Sequence, residues 1–383
     1  MSTQIFDRSR EHLTAAKTVV VKVGSSLLAK LGGTGVKINF LQNLVRQIAD
    51  QKSAGRQIVL VSSGAVAAGC VHLQLEKRPT ETAELQAAAA VGQCELMRLY
   101  REEFQKYGLQ AAQILVTCDG LNMRERYLHA RNTMHALLRF GTVPIVNEND
   151  TVAVKELKLK MGDNDALAVA VAQLVDADAI IILSDVAGLY DRPPTDEGAT
   201  LISHVEHLTQ EHFAGATGSQ SGVGSGGMSS KLGAALGAAY GGMPLVVAAG
   251  EQENVINDIL AGREVGTFFE PHDKKTASRG QWFAFGRQIA GRLDVDDGAA
   301  HALTVGKHSL LPVGVKRICG DFSEGDTVGI FSPENVEIAR GIVNYNAATA
   351  ARIIGLSSDE TARILGDSAE KTLVHRDNLV IME

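Results

Sequence analysis

Val19-Val20-Val21-Lys22-Val23-Gly24-Ser25-Ser26 sets the architecture: a β-branched run carries one lysine near its end and breaks at a turn of small residues. So short and so nearly continuous an apolar run implies a strand buried on both faces, which belongs in a parallel sheet covered by helices. The texture recurs. Ile58 to Val61, Gln113 to Val116, Val143 to Val146, Ile180 to Leu183 and Leu245 to Val247 read as further strands. Between them, Leu41, Leu44, Val45, Ile48 and Ala49 fall at i, i+3, i+4, i+7 and i+8 on one helical face, and residues 83 to 107 and 124 to 139 also read as helices. Alternation of the two patterns over residues 17 to 250 predicts an α/β fold with an open, largely parallel sheet sandwiched by helices.

Past residue 268 the texture changes. Turn signals (DVDDGA, LLPVG, CGDFSEGD, SPEN) come close together between short strand-like runs, which predicts a small β-rich second domain. The expected division is a first domain over 1–272, a linker over 273–285 and a second domain over 286–383. Within the first domain, residues 152 to 161 alternate apolar and charged side chains and read as an exposed hairpin or edge strand. The segment ALAVAVAQLV that follows Asp165 reads as a buried helix.

The chain has 383 residues, 45% hydrophobic and 21% charged, with a net charge of −7. That is ordinary globular composition, and its sign gives no general attraction to nucleic acid or to an anionic membrane. No run reaches 18 apolar residues and the N-terminus has no apolar core, so a membrane span and an export signal are not expected. Cys70, Cys94, Cys118 and Cys319 form no CxxC pair, which predicts reduced thiols acting as small buried fillers in a cytoplasmic protein.

In open α/β sheets, ligands bind beyond the carboxyl ends of the strands. The residues that follow the expected strands are Gly24-Ser25-Ser26 after Lys22, Ser62-Ser63-Gly64, Asn147-Glu148-Asn149-Asp150 and Ser184-Asp185, with Gly162-Asp163-Asn164-Asp165 after the hairpin. Taken singly, each has a structural reading. Ser62-Ser63-Gly64 and Asp163-Asn164-Asp165 suit helix N-caps, Lys22 suits a snorkelling side chain, and Asn147 to Asp150 suit an Asx turn.

The loop Gly222-Val223-Gly224-Ser225-Gly226-Gly227-Met228-Ser229-Ser230-Lys231 adds a second lysine. Alone it reads equally as a flexible surface loop or as a phosphate seat, with glycine backbone N–H groups, a helix start and one full positive charge. It is not a P-loop, because the hydroxyls precede the lysine, and no strand immediately precedes its glycines as a dinucleotide fingerprint requires. Two lysines and a glycine cradle facing Asp, Asn and Ser suit phosphoryl transfer to a small polar acceptor. No nucleophilic Cys/His or Ser/His/Asp set is apparent, no metal-ligand cluster is expected, and His204, His207 and His212 read as surface residues, as do Arg124, Arg126 and Arg131.

VVVKVGSSLL, VSSGAVAAG, VPIVNENDTVA, MGDNDALA, LSDVAGLY and SGVGSGGMSSK resemble, in order and spacing, the motifs of the glutamate 5-kinase family of the amino acid kinase superfamily. The tail looks like the PUA domain that many of its bacterial members carry. The resemblance implies ATP-dependent phosphorylation of the γ-carboxylate of L-glutamate, the first step of proline synthesis, with Mg²⁺. It implies Lys22 and Lys231 as the cationic pair at the transferring group and Asp165 as the carboxylate that orients both. Ser63, Asp150 and Asn164 match the glutamate-binding positions. Ser184, Asp185 and Ser225, Gly226, Gly227, Met228, Ser229, Ser230 and Lys231, with Lys22, match the ATP site. A homo-oligomer, dimer or tetramer, and feedback inhibition by proline are also implied. Serine stands where threonine is common at 62, 184, 225 and 230.

Two alternatives remain at this point. One is a kinase of another small carboxylate such as N-acetylglutamate, against which Asp150 argues, because an acylated nitrogen has no charge to pair. The other is RNA binding through the tail. Residues 291 to 360 carry six basic and ten acidic side chains, the opposite of a phosphate-binding face.

Overall fold

The computed structural model describes residues 10–30, 35–117, 120–121, 124–152, 164–209, 212–213, 227–272, 289–306, 308–366 and 372–381. The chain divides into two compact units, 1–274 and 275–383. The expected hairpin from residue 153 onward, the expected linker, Cys118, Gly162 and Asp163, and Ser225 and Gly226 of the glycine loop lie outside the described residues.

The first unit is built on an eight-stranded sheet: β1 (Thr18–Val23), β2 (Gln57–Val61), β3 (Ala111–Val116), β4 (Val143–Glu148), β5 (Ala179–Ser184), β6 (His204–Val205), β7 (Leu245–Ala249) and β8 (Thr267–Phe269). Its order is β3-β4-β2-β1-β5-β7-β8-β6. Every pairing is parallel except β7 with β8. The sheet is therefore mixed at one edge. The β-branched runs of β1, β2, β4 and β5 sit in the centre, where nearly every residue is buried. By contrast β3 is an outer strand and alternates half-buried with exposed positions.

The helices follow the apolar periodicity. Helix Ile38–Ser53 buries Leu41, Leu44, Val45, Ile48 and Ala49, and its buried Gln47 accepts a hydrogen bond from the Ile256 backbone at 2.8 Å. Helix Asp165–Leu174 is buried almost all round. Of the cysteines expected as fillers, Cys70 is buried, but Cys94 is exposed and Cys319 intermediate. Cys94 lies on the outer side of a two-faced helix, a position that four isolated cysteines do not reveal.

The second unit holds a five-stranded sheet of β9 (Gly291–Val295), β10 (Val315–Cys319), β11 (Thr327–Phe331), β12 (Glu337–Val343) and β13 (Val374–Ile381), in the order β10-β9-β11-β12-β13. Its own core gathers Leu293, Val328, Ile330, Val343 and Leu373. Three short helices are held at their starts by side chains: Asp296 accepts from the Ala299 backbone, Asn346 from Thr349, and Ser357 forms a capping box with Glu360.

One contact fixes the frame around the site. Helix Ala65–His72 crosses helix Thr82–Gln105 with the backbones touching, because Gly69 and Gly92 face each other. A Cβ on Gly92 would stand 1.8 Å from the Ala65 carbonyl oxygen, and one on Gly69 1.8 Å from that of Ala88. Helix propensity alone gives Gly92→Ala a gain of about 1 kcal/mol. The overlap with immovable backbone reverses the sign, and we expect Gly92→Ala to destabilise the first unit by about 1–3 kcal/mol in urea unfolding. A more stable variant would contradict the backbone contact.

Candidate functional site

The carboxyl ends of β4, β2, β1 and β5 lie side by side and form one rim. β1 delivers Lys22 there, only 3% exposed. Its ammonium does not snorkel outward, because Nζ lies 2.5 Å from Asp165 Oδ1. Asp165 opens helix Asp165–Leu174, where the helix dipole also favours a carboxylate, and it is 0% exposed. Helix Met228–Tyr240 brings Lys231 Nζ to 3.4 Å from Asp165 Oδ2, and Ser230 Oγ donates to that oxygen at 3.2 Å. Three charges from positions 22, 165 and 231 thus share one buried point.

Burial pushes the Asp165 carboxyl up, but the two ammonium groups outweigh it, Lys22 first and Lys231 second, and hold it ionised below the usual carboxylate range. A buried ion left alone would cost several kcal/mol. Mutual pairing offsets that cost, and the two lysines with Asp165 leave a formal charge of +1 at the rim.

Beside this group lies a second, uncharged one. Asn164 Nδ2 donates to the Ser62 carbonyl at 2.7 Å, to Asn147 Oδ1 at 3.0 Å and to Ser63 Oγ at 3.2 Å. The capping readings give the right positions, Gly64 and Asn164, but neither makes a side-chain cap bond. Asn164 occupies the N-cap position without a side-chain cap bond, and the helix after Ser62-Ser63 is capped by Gly64 at φ 99°, a left-handed conformation. A side chain there would be strained and would press on Leu28. Ser62 Oγ meets Tyr100 Oη at 2.9 Å, while Asn147 Nδ2 donates to Gln93 Oε1 at 2.9 Å. Asn147 Oδ1 also takes the N–H of the next residue, Glu148, still within β4, which is not the i to i+2 bond of an Asx turn.

Ser63, Asn147, Glu148, Asp150, Asn164 and Arg78 line one cleft at the N-terminus of helix Ala65–His72. Asp150 is half-buried there, and burial pushes its carboxyl up to about 6 against a smaller opposing effect of Arg78. Ser63 Oγ accepts from Asn164, and its hydroxyl hydrogen is given to no other group among the described residues. Ser184 and Asp185 stand at the end of β5, joined by a 3.0 Å hydrogen bond, and make no hydrogen bond to the Asp165 group among the described residues. Gly227 and Ser229 are exposed beside Lys231, with Met228 half-buried.

Sequence reasoning missed Gln93, Tyr100 and Arg78. The first two had a signal: both lie on the buried face of helix Thr82–Gln105 with Leu85 and Leu96, where a polar side chain needs a partner. Arg78 had none, because a charged residue before Pro79 in a connecting loop reads as a solvated one. The three histidines are peripheral: His204 and His207 lie at the sheet edge with their nearest acids, Glu270 and Glu206, and His212 contacts Thr209. Among the described residues no cluster of three or more His, Cys, Asp or Glu would hold a metal ion by itself.

Residues 17–249 match the amino acid kinase family and residues 291–365 the PUA domain. The glutamate 5-kinase of Marinomonas sp. (strain MWYL1) is 46% identical over 374 residues, covering 97% of this chain and 99% of its own. That of Moorella thermoacetica is 45% identical over 371 residues, covering 97% of each. Among solved structures, a UMP kinase from Bacillus anthracis aligns with a TM-score of 0.44 at 16% identity, over 68% of this chain and 97% of that one.

Neutralising Asp165 tests the charge balance. Asp165→Asn leaves two buried lysines facing each other, and we expect a loss of about 3–5 kcal/mol in unfolding free energy at pH 7. Because the folded-state pKa of Asp165 lies below its unfolded value, that contribution is complete above about pH 4 and is lost as pH falls through the folded value. The gap between wild type and variant in denaturant titrations should therefore narrow below about pH 4. A gap that is small at pH 7, or unchanged by acid, would contradict the pairing.

Proposed function

The chain belongs to the glutamate 5-kinases of the amino acid kinase family, and on that premise we propose how its first unit works. The reaction is phosphorylation of the γ-carboxylate of L-glutamate to γ-glutamyl phosphate, which opens proline synthesis. The observation that carries the residue assignment is Asp165 held between Lys22 and Lys231 next to an Asn164–Ser63 cleft.

A carboxylate acceptor is already ionised at neutral pH, so no general base is needed. Asp165, held ionised by two lysines, is a poor one. Its task is to aim the ammonium groups. A γ-carboxylate oxygen attacks the terminal phosphorus of the nucleotide, the bond to the bridging oxygen breaks, and ADP leaves with that electron pair. Negative charge spreads over the moving group during this exchange, and Lys22 and Lys231 stand where it develops. Ser63 and Asn164 bind the acceptor without adding repulsion, and Asp150 pairs with its ammonium group.

A kinase of this family uses a nucleoside triphosphate, and we assign ATP, seated by Ser184, Asp185 and residues 225–231. Mg²⁺, bound with the nucleotide, would neutralise phosphate charge, held largely by the phosphates as it commonly is. A homo-oligomer, dimer or tetramer, inhibition by proline, and a cytoplasmic site of action complete the reading. Among the described residues no helix is long and apolar enough to cross a membrane.

An ATP-dependent hydroxamate assay with L-glutamate, N-acetylglutamate and aspartate tests the activity, with L-glutamate expected to dominate. Lys231→Ala should lower kcat by about 10²-fold or more while leaving the KM for glutamate little changed. Near-normal kcat in that folded variant would remove Lys231 from the chemistry.

Asp150 gives a pH signature. Its carboxyl is protonated below about 6 in the free protein and then has no charge for the ammonium. kcat/KM for glutamate should therefore rise from pH 5 to 7 and level off above, with an apparent pKa near that value. Asp150→Asn should lower the plateau and remove this inflection while the KM for ATP stays within about twofold. An unchanged profile in the variant would make Asp150 a turn residue only.

A further inference from the structure

We infer that Arg78 holds the α-carboxylate of the glutamate acceptor, facing Asp150 across the cleft so that the two together recognise the zwitterionic head of an amino acid. This rests on the reading of the cleft as the acceptor pocket and adds to it the residue that meets the substrate's second negative charge.

Glutamate presents one ammonium and two carboxylates. The γ-carboxylate belongs at the end of the cleft where Asn164 adjoins Asp165, because the lysines lie there. The ammonium falls to Asp150. The α-carboxylate then needs a cation at the far end, and Arg78 is the only cationic side chain lining the cleft among the described residues. Arg78 lies in loop 73–81 between helices Ala65–His72 and Thr82–Gln105.

Among the described residues, no hydrogen bond or ion pair within 4 Å engages the Arg78 guanidinium or the Asp150 carboxylate. Yet the charge of Arg78 still reaches Asp150. Two opposite charges that line one cleft without touching fit a group carrying the complementary pair between them. Guanidinium also matches a carboxylate with two parallel N–H donors, a geometry that an ammonium lacks. Pro79 follows Arg78 and restricts its backbone to extended conformations, which limits the wandering of an otherwise exposed side chain.

Two analogues separate the charges. 4-Aminobutanoate keeps the ammonium and the reacting carboxylate but lacks the α-carboxylate; glutarate keeps both carboxylates but lacks the ammonium. Arg78 is exposed, so Arg78→Gln should fold normally, which circular dichroism checks. In this variant we expect the KM for L-glutamate and the inhibition constant of glutarate to rise by about 10- to 100-fold, with kcat within about threefold and the inhibition constant of 4-aminobutanoate within about twofold. Asp150→Asn should give the reverse pattern, and Arg78→Lys should recover part of the glutamate KM.

Equal weakening of glutarate and 4-aminobutanoate in Arg78→Gln would overturn the assignment and make Arg78 a loop-shaping residue. An unchanged KM for L-glutamate would overturn it as well. Hydroxamate formation by the wild type distinguishes the two levels: an active wild type with an indifferent Arg78→Gln overturns only the role of Arg78, whereas a wild type inert toward L-glutamate overturns the acceptor reading with it.

Discussion

A carboxylate buried between two lysines is the constraint on which the first unit depends. Lys22, Asp165 and Lys231 come from the first strand and from the starts of two later helices, so their meeting requires those elements to be correctly placed. The dependence runs both ways. Any one charge alone would be expelled or neutralised at this depth, but together they hold a net positive point within a largely apolar sheet end. A site that stabilises developing negative charge must be arranged before the charge appears, and the shared carboxylate supplies that arrangement.

In the proposed reading, the neutral network beside it supplies the second requirement, a rigid acceptor seat. Asn164 follows the course of its neighbour Asp165, so whatever fixes the charged group also fixes the amide that binds Ser63, Ser62 and Asn147. Gln93 and Tyr100 tie the same network to helix Thr82–Gln105. That helix is itself pinned through Gly92 to the helix that begins at the cleft. A fully bonded buried network of this kind rigidifies, whereas a half-satisfied one would cost stability.

Much of this was legible in the sequence because the central strands are β-branched runs with little else in them, and because polar clusters follow those runs directly. β6, of two residues, and β8, of three, were not legible: neither is long enough to show a period, and the antiparallel pairing of β8 with β7 is a tertiary choice. Asn164 holds the N-cap position, but its side chain bonds into the network instead, since capping and network bonding draw on the same residue types and only the partner decides. Arg78 was silent because its place in the lining of the cleft is set by tertiary structure, which local pattern does not encode.

The second unit raises a separate question of charge. Its sequence already carried an excess of acids over bases, and the fold consumes many of the bases. Arg292 and Arg317 both bind Asp294, at 2.5 and 2.7 Å, Arg340 binds Glu337 at 2.7 Å, and Lys316 lies 3.6 Å from Asp296. Arg292 also lies over the Phe331 ring, 3.9 Å from its centroid, which occupies an aromatic face that a nucleobase would need. A polyanion would have to compete with these pairs and meet the surplus acids, the opposite of a phosphate-binding face. The buried positive excess lies at Lys22 and Lys231, where the proposed phosphate chemistry is assigned, and the second unit carries none of the described site.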